Sequence, residues 1–190
     1  MAYVWIALGI VAAVVGLLVL AGVVLYVLGG KIPIEHEATS VIEIHAPVEK
    51  VFEAIADVQR HPEWSRGVSR VIVMPDTLHG GVPMQTVRME MGHHSLVLVR
   101  TRYEPPMLLE RTITDNRGPF SGTWLYRLRR MPDEAGEPVC EVRLTERGRV
   151  PSPVFRALMK HVMGYHKFTH AHVRALAGRF EVRAREPRRG

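Results

Sequence analysis

The first thirty residues contain no Asp, Glu, Lys, Arg, His, Asn, Gln, Ser or Thr. From Val4 to Leu28 the chain is almost pure Val, Leu, Ile, Ala and Gly. A bilayer core needs about 20 apolar residues to be crossed as a helix. Residues 1–30 pass that threshold and are read as a transmembrane anchor. A cleaved signal peptide has a basic start, an apolar stretch of about 7–15 residues and a small-residue cleavage site. Here no basic residue precedes the apolar run, and the run is longer. Tyr3, Trp5 and Tyr26 lie near its two ends, where interfacial aromatics are expected.

Residues 31–36 form a short linker, and everything beyond reads as one water-soluble domain of ordinary size. The N-terminal tail has no basic residue, whereas Lys31 follows the apolar run. The positive-inside tendency places the domain on the cytoplasmic side. Cys140 stands alone, which rules out an intrachain disulfide and fits a reducing compartment. Net charge is +6, and all but four of the 25 basic residues (Lys31, Lys50, Lys160 and Lys167) are Arg. Residues 183–190 form a basic tail suited to a solvated end or an anionic lipid surface. Nucleic acid is not expected as a partner, since no zinc-finger, RRM or helix-turn-helix signature is present.

The pattern beyond residue 36 is ordered. Residues 37–45 alternate, with Ile42 and Ile44 on one face and Glu43 and His45 on the other, as in a half-buried strand. Pro47 and Glu49 then suit a helix start, and Val48, Val51, Phe52, Ile55 and Val58 follow at helical spacing. His61-Pro62-Glu63-Trp64 opens a short second helix that ends at Gly67. A period of two then predicts strands at 69–75, 82–91, 95–104, 107–115, 121–131 and 138–147, separated by turn residues. After Pro151 and Pro153, capped by Ser152, a rough apolar stripe predicts one long helix. Its members are Val154, Leu158, Val162, Tyr165, Phe168, Leu176 and Phe180. The expected class is α+β: an antiparallel sheet of about seven strands covered on one face by the C-terminal helix.

Val41-Ile-Glu-Ile-His-Ala-Pro-Val-Glu-Lys-Val-Phe-Glu-Ala-Ile-Ala-Asp-Val, followed by His61-Pro-Glu-Trp64, resembles the opening of the START-like, or SRPBCC, superfamily. Tyr103-Glu-Pro-Pro106 is similar to a turn often found in these proteins. The resemblance covers residues 37–182. It implies the helix-grip fold, a curved sheet wrapped on a long C-terminal helix, and several members carry one N-terminal membrane helix. The superfamily includes polyketide cyclase-like proteins, lipid carriers, quinone-binding proteins and stress-linked proteins, so the fold does not fix the activity.

No catalytic set is legible. Cys140 alternates with Val142 and Leu144 and reads as a small buried hydrophobe. His166 and His170 are one helical turn apart, but no full metal-ligand set accompanies them. Neither a metal nor another cofactor is called for. The clearer signal is apolar. Met84, Met89, Met91, Met107, Met159 and Met163 fall on the strands and the last helix, and Met adapts to irregular ligands. Strand parity puts Trp124, Tyr126, Val142 and Leu144 toward the long helix, with Leu158, Val162 and Met163 facing back. The candidate cavity lining is therefore Trp64, Met89, Leu98, Phe120, Trp124, Tyr126, Val142, Leu144, Leu158, Val162 and Met163. Gly118-Pro119-Phe120-Ser121-Gly122 is the candidate gate.

The sequence favours a membrane-anchored module that binds a hydrophobic small molecule such as a lipid, quinone or polyketide-like compound. Two alternatives stay open. One is a cyclase or dehydratase drawing polar cavity groups from Arg100, Arg111, Tyr126 or His161. The other is a non-catalytic, stress-linked interaction protein.

Overall fold

The computed structural model describes residues 2–79, 81–92, 94–114, 120–132 and 136–185, without the side chains of 2, 79 and 182–185. The chain divides into two compact units. One joins the N-terminal segment through Ile34 to Val150–Gly164, and the other joins Glu35–Arg149 to the segment from Tyr165 onward.

The first unit is built on α1 (Ala2–Gly30), a helix long and apolar enough to cross a membrane. Most of its described side chains are exposed, with Leu17 and Leu18 each 66% exposed. A continuous apolar surface of that extent is unfavourable in water. The helix ends by tightening, with Lys31 N donating to Leu28 O at 3.2 Å and Ile32 N to Gly29 O at 3.1 Å. A short helix, α3 (Pro153–Leu158), packs against it. Gly29 permits the approach, because a Cβ there would run into the Pro153 carbonyl.

Arg156 is buried at this junction. Its Nε donates to Gly29 O at 3.0 Å, and its Nη1 to Val150 O at 2.9 Å and Pro151 O at 2.7 Å. A cation there complements the negative end of α1 and adds a second donor to Gly29 O beside Ile32 N. The chain continues from α3 into a π-helical turn, Met159–Met163, and stops at Gly164 with φ 74°.

The second unit is the sheet and its helices. Its strands are β1 (Glu35–Ile44), β2 (Arg70–His79), β3 (Val82–Met91), β4 (His94–Glu104), β5 (Leu108–Ile113), β6 (Ser121–Met131) and β7 (Val139–Arg149). All neighbours are antiparallel, in the order β1-β7-β6-β5-β4-β3-β2. Register slips between Met74 and Thr77 and between Arg100 and Arg102, and such bulges bend a strand. Between β1 and β2 lie α2 (Val48–Ala56) and a 3-10 turn (Val58–Glu63), and α4 (Tyr165–Arg185) closes the unit. His61 falls near the end of the 3-10 turn rather than at its start. The sequence places a helix opening there, but Pro62 sits inside the turn without breaking it.

One sheet face is apolar and faces the helices. Ile44, Met89, Leu98, Leu109, Tyr126, Val142 and Leu144 all lie on it, in one core cluster with Val51, Ile55, Val173 and Leu176. Threonines recur on the other face, where Thr39 and Thr145 oxygens lie 2.9 Å apart and those of Thr101 and Thr112 3.2 Å apart. Strand alternation explains this division, because a period of two sends successive side chains to opposite faces.

The single C-terminal helix expected from Val154 onward is interrupted. A stripe at spacing 3.6 assumes unbroken α geometry. The wider π-turn shifts the phase, and the positive φ of Gly164 stops the helix outright. Val162 and Met163, expected to face the sheet, are instead 64% and 50% exposed, and Leu158 lies with them in the first unit.

Candidate functional site

The inner face holds a small polar group inside an apolar wall. Register pairs Arg111 with Trp124, Leu109 with Tyr126, and Tyr126 with Leu144, so these residues share the face that meets α4. Trp124 stacks on Phe168 of α4, with ring centroids 5.2 Å apart. The Tyr126 hydroxyl is 2.9 Å from His172 Nε2, and the Ser65 hydroxyl is 3.4 Å from His172 Nδ1. Trp64 approaches His172 edge-on at 5.1 Å.

Burial sets the charges of this group. It pushes the His172 pKa down to about 4, with the Arg111 cation adding to the effect. His61 falls to about 3 for the same first reason. Tyr126 is held well above the usual phenol range by burial. Both imidazoles are therefore neutral near pH 7, and the tyrosine keeps its proton. A neutral His172 with its N–H toward Ser65 accepts from the Tyr126 hydroxyl.

Arg111 is 2% exposed. Its Nη1 donates to Ile55 O and its Nη2 to Ala56 O, both at 3.1 Å, at the C-terminal end of α2. Burial lowers its pKa to about 10, so it stays charged. Among the described residues it makes no salt bridge to a carboxylate. A buried cation satisfied only by carbonyls leaves a positive field inside the domain. Glu146, opposite Trp124 and Ala38 in register, is also buried. Its pKa rises to about 7 through burial, with the Trp124 indole acting in the opposite sense.

The sequence candidates separate into groups. Met89, Leu98, Trp124, Tyr126, Val142 and Leu144 lie together on the inner face, none more than 5% exposed. Phe120 packs half-buried against them. Residues 118 and 119 of the candidate gate lie outside the described residues. Trp64 lines a groove of about 750 Å³ between the 3-10 turn and α4. Leu158, Val162 and Met163 belong to the other unit.

Of the four polar residues raised for catalysis, Arg111 and Tyr126 are both buried on the inner face, and the Arg111 charge bears on the Tyr126 phenol. Arg100 stacks over the Tyr103 ring at 4.2 Å, and His161 is exposed on the π-turn. His166 and His170 are exposed on α4. Sequence reasoning did not single out His172, Ser65 or Glu146. A signal for His172 was present: it falls at spacing four between Phe168 and Leu176, a polar residue on an apolar stripe.

Residues 35–181 match the family described as polyketide cyclase / dehydrase and lipid transport. The chain belongs to this family and has its START-like, helix-grip architecture. Solved structures agree on the fold. The Zhui aromatase/cyclase from a Streptomyces species is 15% identical with a TM-score of 0.58, covering 80% of this chain and 96% of that one. A START superfamily protein from Mycobacterium smegmatis is 15% identical with a TM-score of 0.52, covering 77% and 98%. A norcoclaurine synthase from Thalictrum is 9% identical with a TM-score of 0.56, covering 79% and 96%. No curated protein matches the chain by sequence.

Proposed function

We propose that this chain is a membrane-anchored helix-grip module that binds a hydrophobic small molecule between its sheet and α4. The ligand classes that suit it are a lipid, a quinone or a polyketide-like compound. Residues 1–30 serve as the anchor, 31–36 as linker, 37–182 as binding domain and 183–190 as basic tail. The domain faces the cytoplasm. The observation that carries the reading is the composition of the inner face: a broad apolar wall with one convergent polar group, Arg111, Tyr126 and His172. Ligand pockets are mostly apolar with a few placed polar groups. The inner side chains close on one another here, so a guest must displace them, and the flexible Met89 and Met91 suit that role.

A second reading has one specific observation in its favour. Tyr126 and neutral His172 are in hydrogen-bond contact beside a buried cation, as a proton-transfer pair would be. A cyclase or dehydratase reaction is the class such a pair suits.

The test uses the full chain in phosphatidylcholine nanodiscs, titrated with a fluorescent lipophilic probe. Binding that saturates, and that Val142→Trp weakens by crowding the wall a guest must open, supports the module. Uptake that matches empty nanodiscs at every concentration counts against it.

A further inference from the structure

The side of α4 beside the 3-10 turn carries a second, charged feature. Lys167, His170 and Arg174 follow one another at spacings of three and four, so they share one stripe of the helix. Arg66 lines the groove opposite them, and Arg179 lies deeper, with 12% of its side chain exposed. Glu63 is the one acidic residue among the described residues lining this groove. It is held by Arg60 through two hydrogen bonds of 2.8 and 2.9 Å, and Arg179 lies 4.0 Å away. Among the described residues lining the groove, four cations (Arg66, Lys167, Arg174 and Arg179) face one carboxylate, Glu63.

Its floor is small and apolar. Ala171, Ala175 and Gly178 leave a channel along the helix, with Trp64 at the wall. Gly178 stands in the middle of α4, where glycine weakens a helix relative to alanine. Packing does not require it, since a Cβ there would meet nothing within 4 Å, and its φ is not positive. Open space therefore stands over Gly178, where the channel runs. Trp64 is 8% exposed, and its buried indole Nε1 has no hydrogen-bond partner. Its ring touches His172, which joins the groove wall to the polar group inside. The volume of about 750 Å³ falls in the range of small-molecule sites.

We infer that this groove binds a single-chain amphiphile through a phosphate or carboxylate head. The head lies against Arg66, Lys167 and Arg174, and the chain runs over Ala171, Ala175 and Gly178 along Trp64. Charge-assisted contacts to several cations select the anion. The groove lies apart from the inner face, so it adds a second site to the hydrophobic-ligand reading.

The full chain in phosphatidylcholine nanodiscs is titrated with octyl phosphate, octyl glucoside and inorganic phosphate, following tryptophan fluorescence and Tm. Octyl phosphate is expected to bind about tenfold more tightly than either of the others. Lys167→Glu combined with Arg174→Glu removes that advantage. Gly178→Phe blocks the channel, and both variants leave uptake of the uncharged probe intact. Gly178→Ala retains binding and raises Tm. Equal binding of octyl phosphate and octyl glucoside, with probe uptake preserved, overturns the anionic groove and leaves the hydrophobic-ligand reading standing. Inorganic phosphate binding as tightly as octyl phosphate overturns the amphiphile and assigns the groove to a free anion. Loss of every ligand, probe included, overturns both readings.

Discussion

Tyr126 on β6 and His172 on α4 meet through a 2.9 Å contact between the phenol oxygen and Nε2, both side chains inside the apolar core. This contact ties the middle of the sheet to the helix that covers it. Tyr126→Phe removes the donor and leaves a buried ring nitrogen unpaired, which costs about 1–3 kcal/mol. Chemical denaturation measures the loss. A double-mutant cycle with His172→Phe should show coupling, because the double variant restores an apolar pair.

The buried imidazoles fix an acid limit. His61 and His172 have folded pKa values of about 3 and about 4, against an ordinary 6.5. Above pH 6.5 they are neutral in both states and contribute no pH dependence. As pH falls below 6.5 the unfolded chain takes up their protons first, so their part of the stability declines down to about pH 4 for His172 and about pH 3 for His61. Proton NMR of the imidazole rings should show both neutral at pH 5.5. A protonated His172 at that pH would contradict the buried contact with Tyr126.

Glu146 acts in the opposite direction. Its folded pKa of about 7 lies above its ordinary 4.5, so its protonated form favours the folded state. That contribution is complete below pH 4.5 and is lost as pH rises through about 7. Glu146→Gln should stabilise the domain at pH 8 by about 3 kcal/mol and change little at pH 4. Urea midpoints at the two pH values give the comparison.

Arg156 fastens the end of α1 to α3 through three carbonyl contacts. Arg156→Ala takes the Arg156 donors from Val150 O and Pro151 O and leaves Gly29 O only Ile32 N, at a cost of about 1–3 kcal/mol. Lysine restores the charge but not the forked geometry, so Arg156→Lys should rescue only partly. Gly29→Leu should act like Arg156→Ala, because its side chain meets the Pro153 backbone. Faster proteolysis between residues 30 and 36 in reconstituted protein is the readout.

Much of the architecture is written in local pattern. Alternation along Thr123–Leu128 and Cys140–Leu144 assigned the inner face, because a strand has only two faces to offer. The apolar stripe of the last helix was equally clear but misleading. Gly164 marks the break, but Gly178 lies in the same stretch without interrupting the helix, and a glycine inside a helical pattern is usually tolerated. The site was legible in its apolar part only. Parity shows which face Tyr126 takes, but not that His172 meets it, since that contact joins residues 46 positions apart. Histidines at metal spacing drew attention to His166 and His170, on the solvent side, and away from His172 on the buried one.

The most direct measurement is native mass spectrometry of the full chain extracted gently from the membrane that carries it, followed by solvent extraction of whatever travels with it. A stoichiometric lipophilic passenger, lost on Val142→Trp, is the expected result. Protein recovered from the soluble fraction without its first thirty residues, or recovered from the membrane with no small molecule bound, would contradict the account.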